Sequence, residues 1–223
     1  MFVEGTLRWQ VTEDCPWDLL MALCLRDLAG LDDVGDPVLP PVTPAVQRIL
    51  SLTSAPSNPA SPHPSTDPPV VAAAGAAAAR KADLAEQWLA WWRAEVVRER
   101  RPLATMLQPP HFAAFDRAIE LQDLVMIYYD DAYLWSAQRH DEYARTSNAL
   151  HAKRAADIVD VVRDREHELR RQAGYFRLDI SVLPLAEPGA WIVGPNSVVI
   201  SQSLRDDSAA FREWFAPVVA ALV

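Results

Sequence analysis

FAAFDRAIELQDLVMIYYDDAYLWSAQ, residues 112–138, followed by RHDEYARTSNALHAKRAADIVDVVRDREHELRRQ, residues 139–172, decides the fold. It reads as two long helices, Phe112–Ala137 and about Asp141–Gln172, with a break near Gln138–His140. Phe115, Ala118, Leu121, Val125, Tyr128, Tyr129 and Ala132 share an apolar face on the first. Leu150, Ile158, Val161, Val162 and Leu169 do the same on the second. Two amphipathic helices of this length predict a helical bundle.

Their polar faces hold the residue types that chemistry needs. Asp116, Glu120, Asp123 and Asp130 recur at helical offsets, with Asp131 beside them. Asp157, Asp160, Asp164 and His167 recur in the same way on the second helix. Facing each other, Glu120, Asp123, Asp130, Asp164 and His167 would hold a divalent metal that activates water for hydrolysis. The Glu-x-x-His pairing of di-iron bundles is missing, and Asp164-Arg165-Glu166-His167 offers only Asp-x-x-His. The plainer reading is that both stripes are solvated faces. Ile127 and Leu134 interrupt the first stripe, which predicts that another element covers part of it.

Outward toward the C-terminus, Tyr175–Leu185 alternates as a strand. Trp191–Val193 and Val198–Ser201 follow as strands, separated by the turn Gly194-Pro195-Asn196-Ser197. This order predicts an antiparallel meander. Asp206 or Asp207 then caps a last helix, Ala209–Leu222.

Toward the N-terminus, Val70–Arg101 reads as a helix with Leu84, Trp88 and Trp91 in one line and Leu89, Trp92 and Val96 in the next. Such a stripe belongs in a core. A ligand pocket made by Trp88, Trp92, Trp135 and His140 is the other reading. Residues 53–69 are Ser- and Pro-rich and read as a flexible linker or loop. Thr43-Pro44 can start a short helix through Leu50 or Leu52. Trp17–Ala29 is an apolar helix ended by Gly30, with Asp14 as N-cap. Phe2–Thr12 alternates as one strand. The expected fold is therefore α+β: three or more long helices packed on a small antiparallel sheet of about four strands, made by the N-terminal strand and the C-terminal meander. Residues 1–52 and 70–223 are expected to form one domain.

Composition narrows function by exclusion. The formal net charge is −9 over 223 residues, opposite to the basic footprint of nucleic-acid binders. The seven glycines form no G-x-G-x-x-G and no G-x-x-x-x-G-K, so neither a dinucleotide loop nor a P-loop is expected. G-x-S-x-G, C-x-x-C and H-E-x-x-H are absent. Cys15 and Cys24 point to opposite sides of one helix and read as reduced core residues. No basic-then-apolar leader and no membrane-length apolar run are present. These features predict a soluble, cytoplasmic, non-catalytic protein without a cofactor, which binds a protein partner or forms a homo-oligomer, with no nucleic-acid or membrane partner. The alternatives are the metal-dependent hydrolase and a small-ligand protein with a Trp-lined apolar pocket.

Overall fold

Strand β2, Trp9–Asp14, buries alternate residues. It lies antiparallel to β1, Phe2–Thr6. The N-terminal stretch is thus a hairpin, not the single strand that alternation predicts. The computed structural model describes residues 2–6, 9–47, 70–96 and 107–223. The 53–69 linker and the residues after 47 expected to continue a short helix lie outside them, and residues 45–47 are not helical.

Helix α1, Trp17–Leu28, begins after Pro16 at the N-cap. Asp14 accepts a hydrogen bond from the Cys15 backbone N–H at 2.8 Å, inside the connecting loop. Gly30 takes the left-handed conformation, φ 65°, that lets the chain turn away after α1. Helix α2 spans Val70–Val96. Helix α3, Ile119–Ala149, runs unbroken through Gln138–His140, where a break is predicted. The joint is Leu150, φ −102° and ψ 8°, after which α4 runs His151–Leu169. Hydrogen bonds cross the joint on both sides, from Leu150 N–H to Thr146 and from Arg154 N–H to Leu150. Helix α4 ends on Arg170 in a left-handed conformation.

The remaining strands are β3, Phe176–Leu183, β4, Ala190–Gly194, and β5, Ser197–Ser201. The sheet order is β1-β2-β3-β5-β4. β2 pairs parallel with β3, and β3 parallel with β5, while β4 returns antiparallel on β5. The sheet is therefore mixed and five-stranded, not the antiparallel sheet of about four strands expected, and β3, β4 and β5 do not pair in succession as a meander. The reason lies in the strand compositions. Val198, Val199 and Ile200 of β5 are all buried, the continuous apolar run of a central strand. β4 leaves Ile192 76 % exposed and suits an edge. The chain therefore passes over after β3 and places β5 inside β4.

Two short-range caps finish the fold. Ser201 caps α5, Gln202–Asp206, and Asp207 caps α6, Ser208–Leu222, accepting from Ala209 and Ala210 N–H at 3.0 and 3.1 Å. Helices α1, α2 and α3 pack together, while α4 packs on α6. Both cysteines are free and buried. Burial, with Asp27 and Asp131 adding, pushes the Cys24 thiol from 9.0 up to about 12. Burial, Asp14 and Asp18 push Cys15 up as well. A raised folded-state value means that Cys24 leaves stability untouched below pH 9.0. Above it the unfolded chain ionises first, so stability falls as pH rises toward about 12. Both thiols are expected to resist an aromatic disulfide reagent at pH 8 until urea is added. Rapid reaction of either in the folded protein would contradict this packing.

Candidate functional site

The inner face of β2 ends in a charge, not an apolar residue. Trp9, Val11 and Glu13 alternate inward, and all three are buried. Glu13 Oε1 accepts from Arg154 Nη1 at 3.1 Å and from the Tyr143 hydroxyl at 3.3 Å. Its Oε2 accepts from Arg205 Nε at 2.7 Å. Arg205 also donates to the Arg154 carbonyl at 3.0 Å and to Asp157 Oδ2 at 3.4 Å, and stacks 4.0 Å above the Phe211 ring. Arg154 reaches Asp206 at 2.7 Å, and Ser208 donates to Asp157. One carboxylate thus binds two buried guanidiniums and links β2 to α3, α4 and α5. Burial first, then Glu13, pushes the Tyr143 hydroxyl pKa upward. These charges are spent on one another, so the cluster clamps elements together. Its sequence signal was Glu13 falling in step with Trp9 and Val11.

On the other face of the sheet lies a cavity of about 400 Å³. Thr12, Asp14, Arg177, Asp179, Ser181 and Ser197 line its floor, and Asp18, Glu95 and Val96 close one side. Arg177 and Asp179 form an ion pair at 2.9 Å, and Thr12 donates to Asp179. The cavity lies between the end of α2 and the sheet, but its lining is mixed, and Trp88, Trp92, Trp135 and His140 are not part of it. Trp88 and Trp92 are stacked in the core at 5.5 Å. Trp135 Nε1 donates to the Pro44 carbonyl at 3.3 Å. His140 Nδ1 lies 2.9 Å from the Cys15 carbonyl, so Nδ1–H is the donor and the other ring nitrogen is left unprotonated in the neutral form.

The acidic helix residues do not converge. Asp123 and Asp130 are exposed on α3, which packs on α1 and α2, and Asp164 and His167 are exposed on α4, which packs on α6. Glu120 is half-buried and bonded to Gln87 of α2. That hydrogen bond first, then a backbone one, holds its carboxyl below the usual range. Gln87 also accepts from Leu121 N–H at 3.0 Å, so the pair ties the start of α3 to α2. Among the described residues no group of three or more His, Cys, Asp or Glu is placed to hold a metal ion. Nor is any described helix long and apolar enough to cross a membrane.

What α3 does present is an apolar surface. Ile119, Met126, Ile127, Tyr133 and Leu134 are 61, 54, 60, 44 and 59 % exposed. At about 100° per residue they share a sector of roughly 120°, running for ~22 Å along the helix. The buried residues Leu121, Leu124, Val125 and Ala132 lie opposite, against α1 and α2. Asp123 and Asp130 fall inside the exposed sector. Tyr133 continues an aromatic run inward, 5.8 Å from Tyr129 and edge-on to Trp17 at 5.5 Å. Ile127 and Leu134 are therefore not covered by another described element, contrary to the sequence expectation. No family model, curated protein or solved structure matches this chain.

Proposed function

We propose that the chain is a non-catalytic docking module that binds a protein partner through the exposed face of α3. One observation carries this reading: five large apolar side chains stand exposed within one sector of α3, opposite the face that the helix buries. Isolated exposed apolar residues are ordinary, but a group of them along one sector of a helix is how helix-mediated docking surfaces are built. The missing catalytic motifs and the internally matched charges at Glu13 and Arg177 support it.

The test uses the tagged chain as bait in extract from its source cells, beside an Ile127→Ser/Leu134→Ser variant. Both positions face water, so folding stability should change by no more than about 0.5 kcal/mol each. Each substitution should weaken the captured partner by about 1.5–2 kcal/mol, roughly tenfold to thirtyfold. Hydrogen exchange on the complex should protect the amides of residues 119–134. Equal capture by both proteins, or protection elsewhere, would sink the reading.

A further inference from the structure

We infer that the α3 face is built to take a basic partner surface and to reject a second copy of this chain. The inference rests on the docking reading above and names the chemistry of the occupant. Asp123 and Asp130 lie near the middle of the apolar sector, at about +40° and +20° where Ile119 is zero. Between Ala118 and Gln138 the chain carries Glu120, Asp123, Asp130 and Asp131, and no Lys, Arg or His. An apolar stripe with carboxylates along its centre is a sorting device. Whatever covers the isoleucines must also meet the acids.

Consider self-pairing first. The antiparallel arrangement that covers the whole stripe is centred between Met126 and Ile127 and lays Ile119 against Leu134 of the other copy. It also lays Asp123 against Asp130 of the other copy, twice. A parallel arrangement sets Asp123 on Asp123 and Asp130 on Asp130. Either geometry buries facing carboxylates without counter-charge, among the costliest arrangements in an apolar interface. The net charge of −9 on each copy adds repulsion at longer range.

A partner that carries arginine or lysine at two points ~10.5 Å apart, the rise of seven helical residues, meets both acids. Apolar side chains around those points would cover Ile119, Met126, Ile127 and Leu134. Arginine fits best, since its planar fork binds a carboxylate in two places and stacks beside Tyr133. The fitting occupant is a helix or ridge with basic residues seven apart in an apolar setting, on a protein of opposite net charge.

The chain itself supplies the probe. An Asp123→Arg/Asp130→Arg variant places arginine where the antiparallel arrangement meets Asp130 and Asp123 of the wild type. Light scattering and sedimentation across a concentration series should show the wild type alone as a monomer. An equimolar mixture of wild type and variant should form a one-to-one heterodimer at least tenfold more strongly than either alone. Raising salt should weaken it, and Ile127→Ser in either chain should abolish it. A wild-type dimer held by α3, or a mixture that stays monomeric, would overturn the inference. The two ideas fail separately. A monomeric mixture with partner capture still lost on Ile127→Ser/Leu134→Ser removes the charge rule and keeps docking. Capture unaffected by those serines removes docking itself.

Discussion

Replacing Glu13 with glutamine is expected to lower unfolding free energy by about 3–5 kcal/mol, the range found when one partner of a buried ion pair is removed. The substitution keeps the shape of the side chain and deletes only its charge. Arg154 and Arg205 are both almost fully buried, and each donates to a different oxygen of the Glu13 carboxylate. With an amide in that place, one guanidinium loses its acceptor and faces an N–H₂ donor. Among the described residues the remaining counter-charges are Asp157, at 3.4 Å from Arg205, and Asp206, whose side chain is 43 % exposed. Asp206 is paired with Arg154 and Asp157 with Arg205, so neither bridges the two as Glu13 does. Against a typical total of about 5–15 kcal/mol, this loss is large. Asp206→Asn is the internal control. It touches the same cluster at its wet end, so screening should hold its effect under about 1 kcal/mol. Urea titration of the two variants measures both. A Glu13→Gln loss below about 1 kcal/mol would mean that water or another acceptor reaches the guanidiniums.

The clamp bears on the proposed docking face. Tyr143 belongs to α3 and reaches Glu13, and the Arg154 guanidinium lies 5.5 Å from its ring. Gln87 and Glu120 tie the start of the same helix to α2. Helix α3 is thus fastened toward both ends while its middle carries Met126, Ile127 and Tyr133. A face held in place loses little freedom on binding, which leaves more of the contact energy as affinity.

Local patterns made much of this legible. Gly30, Asp207 and the turn at Gly194–Ser197 mark element ends because each supplies a conformation or a cap that needs no distant partner. The strand order was not legible. Turn chemistry at Glu187-Pro188-Gly189 says that the chain bends, not which side of β5 receives β4. That depends on how many strands compete for the centre of the sheet. The joint at Leu150 carries no glycine or proline, so nothing in Ser147-Asn148-Ala149-Leu150 announces it, whereas Gln138-Arg139-His140 looked polar enough to break a helix and did not. Asp157 matched the period of a solvated acidic stripe and is buried, because Arg205 and Ser208 come from 48 and 51 residues away to meet it. The exposed stripe was half legible. Ile127 and Leu134 stood out among acids, but only packing could show that they face outward uncovered.

The tryptophan pair gives the second large expected effect, and it separates packing from hydrogen bonding. Trp88 and Trp92 are fully buried and stacked nearly parallel, at 11°. Trp88→Ala should cost about 3–5 kcal/mol, since α1 and α2 cannot close the space left by an indole. The phenylalanine variants discriminate further. Trp88 Nε1 donates to the Ala22 carbonyl of α1 at 2.8 Å, a bond that ties α2 to α1. Among the described residues Trp92 Nε1 has no acceptor. Each change to phenylalanine removes a similar volume, so the difference between them isolates the N–H group. Trp88→Phe deletes a made bond, worth about 1 kcal/mol, whereas Trp92→Phe deletes a buried donor that already carries its desolvation cost. Trp88→Phe should therefore be the more destabilising by at least about 1 kcal/mol, even though the rings touch and share a core. Matched urea titrations of the two variants decide the point. Equal losses would show that Trp92 Nε1 has an acceptor, and a larger loss at Trp92 would show that its ring, not Trp88, is the main anchor between α2 and α1.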